Sequence, residues 1–414
     1  MYQAPRGTSD ILPQDQPDWS HMTSMMATAA RTHGYQRIDT PIFEDTGLFL
    51  RTVGEETDIV QKEMYSFQDR GEQEITLRPE GTAAVCRAYL EHGLHNQAQP
   101  VRLYYLCPMF RYDRPQAGRY RQFHQFGVEA IGDGDAALDL EVIQLAMASV
   151  EAVGLEDMTL VLNNIGDAAD RPAYIDALRE HFRPHVGELG ADDKRRFDTN
   201  PLRLLDSKVL AGKPFVADAP KSIDFLGPDA QAHWDELLGY LDALSVPYRL
   251  DHKLVRGLDY YTRTVFEVHP AKSGGQSAVC AGGRYDGLIE QLGGSPTPGI
   301  GFATGIERVL MNAREQGLSS PNNAQRPVVI AHHGAQAKAM AVSTATELRA
   351  AGIATIVAPE RSLKAQMRYA SSLESTSVLI IGEQEIERSV VTLRDMSTSE
   401  QRELPRSELV SVLG

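Results

Sequence analysis

Residues Phe110 to Glu129 read FRYDRPQAGRYRQFHQFGVE, two strand-like arms joined by a loop that carries arginines at 111, 114, 119 and 121. The second arm falls on a strand by its period of two. That period sets Phe123, Gln125, Gly127 and Glu129 on one face and Gln122, His124, Phe126 and Val128 on the other. One face therefore offers a ring to stack, an amide, a side-chain-free gap and a carboxylate. Arginine suits a di- or triphosphate because its planar fork donates bidentately and keeps its charge. A buried carboxylate wants a cationic or N–H-donating ligand. Together they point to a polyanion held beside an amino group, as in activation of a carboxylate by ATP. Alone, the hairpin would serve equally as a solvated edge or a nucleic-acid-binding patch.

Three further segments shift that balance. Ile75 to Leu90, ITLRPEGTAAVCRAYL, reads as a short strand that breaks at Pro79 and becomes a helix after Gly81-Thr82. Glu80 and Thr82 then stand at the junction, where their oxygens can face a ligand ammonium or cap free amides. A cap alone would account for Thr82, and less comfortably for Arg78 and Glu80, which flank a proline. Leu254 to Val268, LVRGLDYYTRTVFEV, joins a turn to a β-rich run, with Arg256 before Gly257 and tyrosines at 260 and 261. A core pair explains the tyrosines; an arginine where backbone can approach closely fits a phosphate contact. Pro298 to Leu310, PGIGFATGIERVL, is neither GxGxxG nor a GxxxxGK[ST] loop. Thr304 and Glu307 have capping-box spacing, which would start a helix and place Arg308 in its first turn. A cation there opposes the helix dipole, so an anion should offset it. A triphosphate or a structural carboxylate would do so.

These segments resemble the three motifs of class II aminoacyl-tRNA synthetases. LVRGLDYYTRTVFEV with CAGGRYDGLIEQLGG, Cys280 to Gly294, is similar to the histidine-specific blocks of the histidyl-tRNA synthetase family. The first class motif would be GYQRIDTPIFE, Gly34 to Glu44, whose Pro41 ends a strand at the dimer interface in that family. The resemblance runs from PRGTSDILP at Pro5 into the C-terminal region.

The resemblance implies a site. Glu80, Thr82 and Gln125 would hold the α-ammonium of histidine, with Gly81 in the same wall. Glu129 and Tyr261 would read the imidazole, and Tyr260 and Tyr285 would complete the pocket. Arg111 and Arg256 would act catalytically, on the substrate carboxylate and the α-phosphate of ATP. Arg119 and Arg308 would meet the outer phosphates, Phe123 would stack on adenine, and Arg114 and Gln116 would meet the tRNA acceptor end. The implied activity is histidine–tRNA ligation: histidyl-adenylate and pyrophosphate form from histidine, ATP and Mg2+, and histidine passes to the 3′ end of tRNA(His). Asp113 departs from the family's usual glutamate two residues after Arg111.

The implied fold class is an α+β catalytic domain on an antiparallel sheet, the class II synthetase fold, over residues 1–325. A small α/β anticodon-binding domain follows over 326–414. A polar, helical-looking insertion is expected at about 170–234, near the tRNA acceptor arm, and REQGLSSPNNAQRP at 314–327 reads as a linker. In the tail, strands at VVIAHHG, IATIVAP, SVLIIG and VVTLRDM alternate with a helix through Thr346, a helix on SLKAQMRYASSL and a closing helix, which predicts an α/β sheet. Arg361, Lys364 and Arg368 offer either a basic face for RNA or a solvated surface.

With 414 residues, 42% of them hydrophobic, the chain can fill two or three domains. Cys86, Cys107 and Cys280 are an odd number with no CxxC pair, which argues for a reducing compartment and against disulfides or a protein-borne zinc site. The N-terminus lacks an apolar signal core and no 18-residue apolar run occurs, so a soluble cytoplasmic homodimer with no membrane partner is expected. Residues 326–414 balance ten Lys+Arg against ten Asp+Glu, so residues 1–325 hold the whole net charge of −15. RNA must then meet local basic patches; Val101 to Gln125 holds five arginines against one aspartate. Two rivals are a histidine-sensing paralogue resembling the regulatory subunit of ATP phosphoribosyltransferase, and a class II-like ligase for another amino acid. The first would be expected to lose phosphate-binding arginines or the RNA-binding tail, both present here; the second, with a pocket for an aliphatic substrate, would not place a carboxylate at 129.

Overall fold

The hairpin at 101–131 lies within a large mixed sheet. The computed structural model describes residues 2–54, 57–116, 118–207, 209–270, 278–318 and 326–414. Two compact units divide the chain, residues 1–320 and 321–414. Strands of the first are β1 (Gln36–Arg37), β2 (Phe43–Asp45), β3 (Tyr65–Gln68), β4 (Glu74–Leu77), β5 (Val101–Phe110), β6 (Gln122–Ile131), β7 (Met158–Asn164), β8 (Tyr248–Leu250), β9 (Thr262–Pro270), β10 (Cys280–Arg284) and β11 (Gly299–Gly305). Its helices are α1 (Gln16–Thr32), α2 (Thr46–Val53), α3 (Thr82–Glu91), α4 (Ala136–Glu151), α5 (Arg171–Phe182), α6 (Ala191–Thr199), α7 (Pro214–Ala217), α8 (Pro228–Ala243), α9 (Leu288–Gln291) and α10 (Ile306–Glu315).

Eight strands run in the order β1-β5-β6-β11-β10-β9-β7-β8, and β2-β4-β3 form a separate small sheet. The six inner strands pair antiparallel, whereas β1 joins β5 and β8 joins β7 in parallel. Parallel neighbours need a crossover connection, and the one from β7 to β8 contains the helices α5 to α8. The expected antiparallel sheet is thus the core of a mixed one.

Alternation along the inner strands gives the sheet two different faces. On one, Phe126, Val128, Leu160, Leu162, Phe266, Val268, Ile300 and Phe302 pack with apolar side chains of α1, α4, α8 and α10. On the other, Leu103, Tyr105, Val161 and Val265 join residues of α3, α5 and the 254–261 turn. The expected insertion at 170–234 needs a shorter limit. Trp234, Leu237 and Leu241 of α8 are buried in the first cluster, so α8 is part of the sheet's own cover. Its polar exposed face hid that role.

A buried ion pair joins the sheet to its helical layer. Arg284, at the end of β10, and Asp139, on α4, are both fully buried and lie 2.5 Å apart. Arg284 also donates to Asp286 and to the carbonyls of Asp133 and Asp135 at 3.0–3.1 Å. Arg78 is a second structural arginine: 2% exposed, it donates to the carbonyls of Thr40, Pro41 and Pro108. The ligand-facing alternative to a structural role therefore does not apply to Arg78. Pro41 ends no strand, since β1 stops at Arg37 and β2 begins at Phe43. Its carbonyl is held by Arg78 instead.

The second unit comprises β12 (Val328–His332), α11 (Ala335–Ala350), β13 (Thr355–Val357), α12 (Leu363–Ser372), β14 (Ser377–Ile381), α13 (Glu383–Glu387), β15 (Val390–Asp395), β16 (Gln401–Pro405) and α14 (Leu409–Leu413). The sheet order is β13-β12-β14-β15-β16. The expected α/β alternation stands, with α11 extending four residues past Thr346. Strand β16 was not expected: QRELP is polar and mostly exposed, an edge strand paired only to β15. Residues 319–325 of the expected linker lie outside the described residues, and its first residues, Arg314 and Glu315, close α10.

Replacing Arg284 by alanine should leave the buried Asp139 with His233, 3.5 Å away, in place of its closest cation. Removing one member of such a pair typically costs about 3–5 kcal/mol. In urea denaturation the unfolding transition of the first unit should move to lower urea, its free energy of unfolding falling by about that much; an unchanged transition would show that the pair contributes little.

Candidate active site

Most of the predicted site residues meet in one cleft of about 980 Å³ on the second face of the sheet. Glu80, Gly81, Thr82, Arg111, Gln116, Arg119, Phe123, Gln125, Arg256, Tyr260, Tyr261, Tyr285 and Arg308 line it. Arg114 and Glu129 do not. Arg114 is exposed on the loop between β5 and β6, and Glu129 lies buried behind the wall, 1% exposed.

The polar end is built around Glu129. Thr82 donates to its Oε1 at 2.7 Å, Tyr105 to the same oxygen at 3.3 Å and Tyr285 to Oε2 at 2.6 Å. Burial outweighs these donors and pushes the carboxyl up to about 8. Glycines make room for it. Gly301 pairs with Glu129 across β6 and β11, and a Cβ there would lie 2.1 Å from Glu129 Oε2. The gap predicted at Gly127 is filled: the Tyr105 ring occupies it, 2.2 Å from where a Cβ would stand. Gly81 yields to the same ring. Tyr105 is thus a residue that sequence reasoning missed, although the alternation of Leu103, Tyr105, Cys107 and Met109 along β5 could have placed it on the cleft face.

Glu80 caps α3, accepting from the amides of Thr82 at 2.8 Å and Ala83 at 2.9 Å. The capping role considered for Thr82 belongs to Glu80, which is 4% exposed and whose carboxyl is raised by burial against those two amides. Tyr260 stacks obliquely on Tyr261 at 4.8 Å and meets Tyr285 edge-on at 5.9 Å, forming a continuous aromatic wall. The tyrosines hydrogen-bonded to Glu129 are Tyr105 and Tyr285, while the Tyr261 carbonyl accepts from Arg171 on α5. Gln125 Oε1 is buried in the cleft without a hydrogen-bond partner among the described residues. An orphaned acceptor there calls for a donor from a ligand.

The cationic end gathers four guanidinium groups. Arg111 donates to the Pro79 carbonyl at 2.8 Å and lies 5.5 Å over the Phe123 ring. Arg308, in the first turn of α10, donates to the carbonyls of Ala278 at 2.7 Å and Gly118 at 3.4 Å. Neither is paired with a carboxylate among the described residues. Burial lowers the pKa of both, and the other arginines of the cleft add to the effect at Arg308. Arg119 pairs with Asp113 at 3.0 Å, and Arg256 pairs with Glu267 on β9. With Arg111 and Arg308 held by backbone carbonyls, this end of the cleft offers guanidinium groups suited to a polyphosphate. The basic count over 101–125 overstated this patch, because Arg102 faces the helical layer and pairs with Glu141 at 2.8 Å.

The Thr304–Glu307 capping box does not form. Thr304 is in β11 and donates to the Val279 carbonyl, while Gly305 is the N-cap. Glu307 accepts from the His124 amide at 2.9 Å and lies 2.9 Å from His124 Nδ1, tying α10 to β6. The spacing was met, but tertiary partners took both side chains.

The chain is similar to known proteins along nearly its whole length. A profile of the histidyl-tRNA synthetase family matches residues 7–309, and one of the anticodon binding domain matches residues 327–414. A histidine–tRNA ligase of Dehalococcoides mccartyi strain 195 is 51% identical over 99% of this chain and 98% of its own length. One from Desulforamulus reducens is 49% identical over 98% and 97%. Among solved structures, the apo histidyl-tRNA synthetase of S. aureus superposes with a TM-score of 0.83 at 39% identity, over the whole of both chains. A Bacillus halodurans chain described as an ATP phosphoribosyltransferase regulatory subunit/histidyl-tRNA synthetase shares the fold alone, with TM-score 0.65 and 23% identity over 92% of this chain and 98% of that one. With the arginine-lined cleft, the buried Glu129 and this full-length similarity taken together, the chain belongs to the histidyl-tRNA synthetase family.

Proposed function

We propose that the protein is a histidine–tRNA ligase that joins L-histidine to ATP as histidyl-adenylate, releasing pyrophosphate, and then transfers histidine to the 3′ end of tRNA(His). The observation that carries this reading is the juxtaposition, in one cleft, of four arginines and an amide oxygen, Gln125 Oε1, that lacks a partner beside buried carboxylates.

In this reading Glu80, Thr82 and Gln125 take the α-ammonium against the wall at Gly81. Once ionised, Glu129 has roughly four lone-pair sites; three are taken by protein hydroxyls and one is left for the imidazole N–H. Tyr261 donates to the other ring nitrogen, and Tyr260 and Tyr285 close the pocket. An analogue without those groups would strand buried polar atoms, so discrimination needs no editing step. Arg111 and Arg256 bring the histidine carboxylate and the α-phosphate together. The carboxylate is already ionised at neutral pH and needs no base. Arg119 and Arg308 hold the outer phosphates, Phe123 stacks on adenine, and the charge that builds on the pentavalent centre is met by fixed guanidinium groups. Exposed Arg114 and Gln116 meet the acceptor end of the tRNA, whose terminal ribose hydroxyl attacks the anhydride.

Magnesium, the expected companion of ATP, finds no cage built for it: no group of three potential ligating side chains occurs among the described residues. Magnesium that arrives with ATP takes one or two carboxylates beside the phosphates and water rather than a protein cage, and no step above runs through it. Asp113, in place of the family's glutamate, faces Arg119, so its carboxylate serves the phosphate-side arginine.

The second unit would read the anticodon. Arg361, Lys364 and Arg368 are exposed on and just before α12 and carry no carboxylate partner among the described residues. The domain limits 1–325 and 326–414, and an acceptor-arm role for the insertion before α8, belong to the same proposal. So does a homodimer: Ile42 and Phe43, 46% and 53% exposed, stand beside the first class motif's Pro41, and Phe67 on the same small sheet is 48% exposed. A cytoplasmic setting accords with three buried thiols, none of them bonded to another. No helix among the described residues is long and apolar enough to cross a membrane.

Histidine-dependent exchange of labelled pyrophosphate into ATP, run without tRNA across the twenty amino acids, should succeed with histidine only. Exchange with a different amino acid would refute the Glu129 pocket, and histidine binding without exchange would favour a sensor. Arg256→Ala should slow single-turnover adenylation by about 2.7–4 kcal/mol in barrier, while histidine affinity stays near the parent's.

Glu129 also gives a pH signature. Its carboxyl holds a proton in the folded, ligand-free chain up to about 8, against a usual value of 4.5. The folded state therefore binds more protons than the unfolded one between those values, and the stability so gained is lost as pH rises through that window. Thermal melts from pH 5 to 9 should show Glu129→Gln flattening this decline; parallel curves would place the raised pKa elsewhere. Phe43→Asp should shift the sedimentation coefficient from dimer to monomer.

A further inference from the structure

We infer that Glu267 is a positioning residue for the reaction, an anchor that fixes the Arg256 guanidinium with one edge turned to the α-phosphate. The inference rests on the assignment of Arg256 to that phosphate.

Arg256 sits in an irregular turn with no strand or helix to hold it, and long side chains on loops are poorly fixed unless something ties them. Glu267 supplies the tie from a rigid place. It lies mid-strand in β9, paired with Val161 of β7 on one side and Ala281 of β10 on the other. The period of two points Glu267 to the cleft face together with Val265 and His269, and both Glu267 and His269 line the cleft.

The two carboxylate oxygens are divided. Oε1 bonds to Arg256 Nη1, and Oε2 lies 2.8 Å from His269 Nε2. With Oε2 taken, the carboxylate does not engage the arginine fork with both oxygens. Glu267 thus grips the guanidinium at one amine, Tyr261 bears on it as well, and its Nε is buried without a hydrogen-bond partner among the described residues. A buried donor left open in a cleft of arginines is a place for an anionic oxygen. Burial opposes ionisation of Glu267, but His269 and Arg256 more than offset it and hold the carboxyl below its ordinary range. The anchor is therefore charged at neutral pH. It also balances one of four guanidinium groups that would otherwise repel one another.

The chemistry itself passes through Arg256, so Glu267 should matter only through that residue. Single-turnover adenylate formation and histidine binding are measured for the parent chain, Glu267→Ala, Glu267→Gln, Arg256→Ala and the Arg256→Ala/Glu267→Ala double variant. Loosening a catalytic group by an ångström can cost about 100-fold. Glu267→Ala is expected to lose roughly 10- to 100-fold in adenylation at saturating ATP, with histidine affinity unchanged. Glu267→Gln, which keeps a carbonyl oxygen for Arg256, should recover part of the loss. The double variant should be no slower than Arg256→Ala alone, since residues acting as one unit are not additive.

Additive losses, or a loss of histidine affinity parallel to the loss of rate, would make Glu267 a general structural residue and overturn the inference. Full activity of Glu267→Ala beside a crippled Arg256→Ala would overturn it while leaving the adenylation reading intact. An active Arg256→Ala would remove the Arg256 assignment and the anchor with it.

Discussion

Mutual repulsion among guanidinium groups is the constraint around which the cleft is organised. Arg111, Arg119, Arg256 and Arg308 come from the β5–β6 hairpin, the turn before β9 and the start of α10. In water such charges would drift apart; in a partly dry cleft their repulsion is stronger. They stay because each is tied down differently. Backbone carbonyls hold Arg111 and Arg308, which keep their full charge for a ligand, and carboxylates hold Arg119 and Arg256. Arg111 and Arg308 are thus left to meet an incoming polyanion.

At the other end the problem is reversed, because a carboxylate must be kept where water cannot reach it. Glu129 is tolerated through three hydroxyl donors and through the absence of side chains at Gly301, which clears space for its Oε2. Gly127 and Gly81 admit Tyr105, one of those donors, and Gly299 admits the ring of Tyr285, another. Gly127, Gly299 and Gly301 are therefore set by packing around one buried acid and its donors rather than by a phosphate loop. This explains why they match no nucleotide-binding spacing.

The two faces of the sheet divide labour. One is closed by α1, α4, α8 and α10 over a dry apolar core, locked by the Asp139–Arg284 pair. That rigidity lets the opposite face hold charged and aromatic groups in fixed positions, with α3 and α5 packed along its margin. Tyr285, which follows the arginine of that pair, is one of the three donors to Glu129, so the core lock and the polar pocket are joined through one peptide bond.

Much of this was legible in the order of residues. Alternation along 122–131 separated the cleft face from the core face, because a strand presents its side chains with a period of two. The arginines, the paired tyrosines and the cap-bearing junction at Glu80 signalled their chemistry through residue type and spacing. Full-length resemblance extended that reading to the family. What sequence could not supply was partner choice. Thr304 and Glu307 satisfied a local cap pattern, yet Val279 and His124, distant in the chain, claimed their side chains. Tyr105 filled the Gly127 gap from a neighbouring strand, and the polar edge strand β16 showed no hydrophobic period to betray it. Glu267 read as one letter of a β-rich run until the fold set it against Arg256. Local pattern fixes which face a residue takes on its own element; only the tertiary structure decides which distant group stands opposite, since that depends on register and packing across the whole sheet.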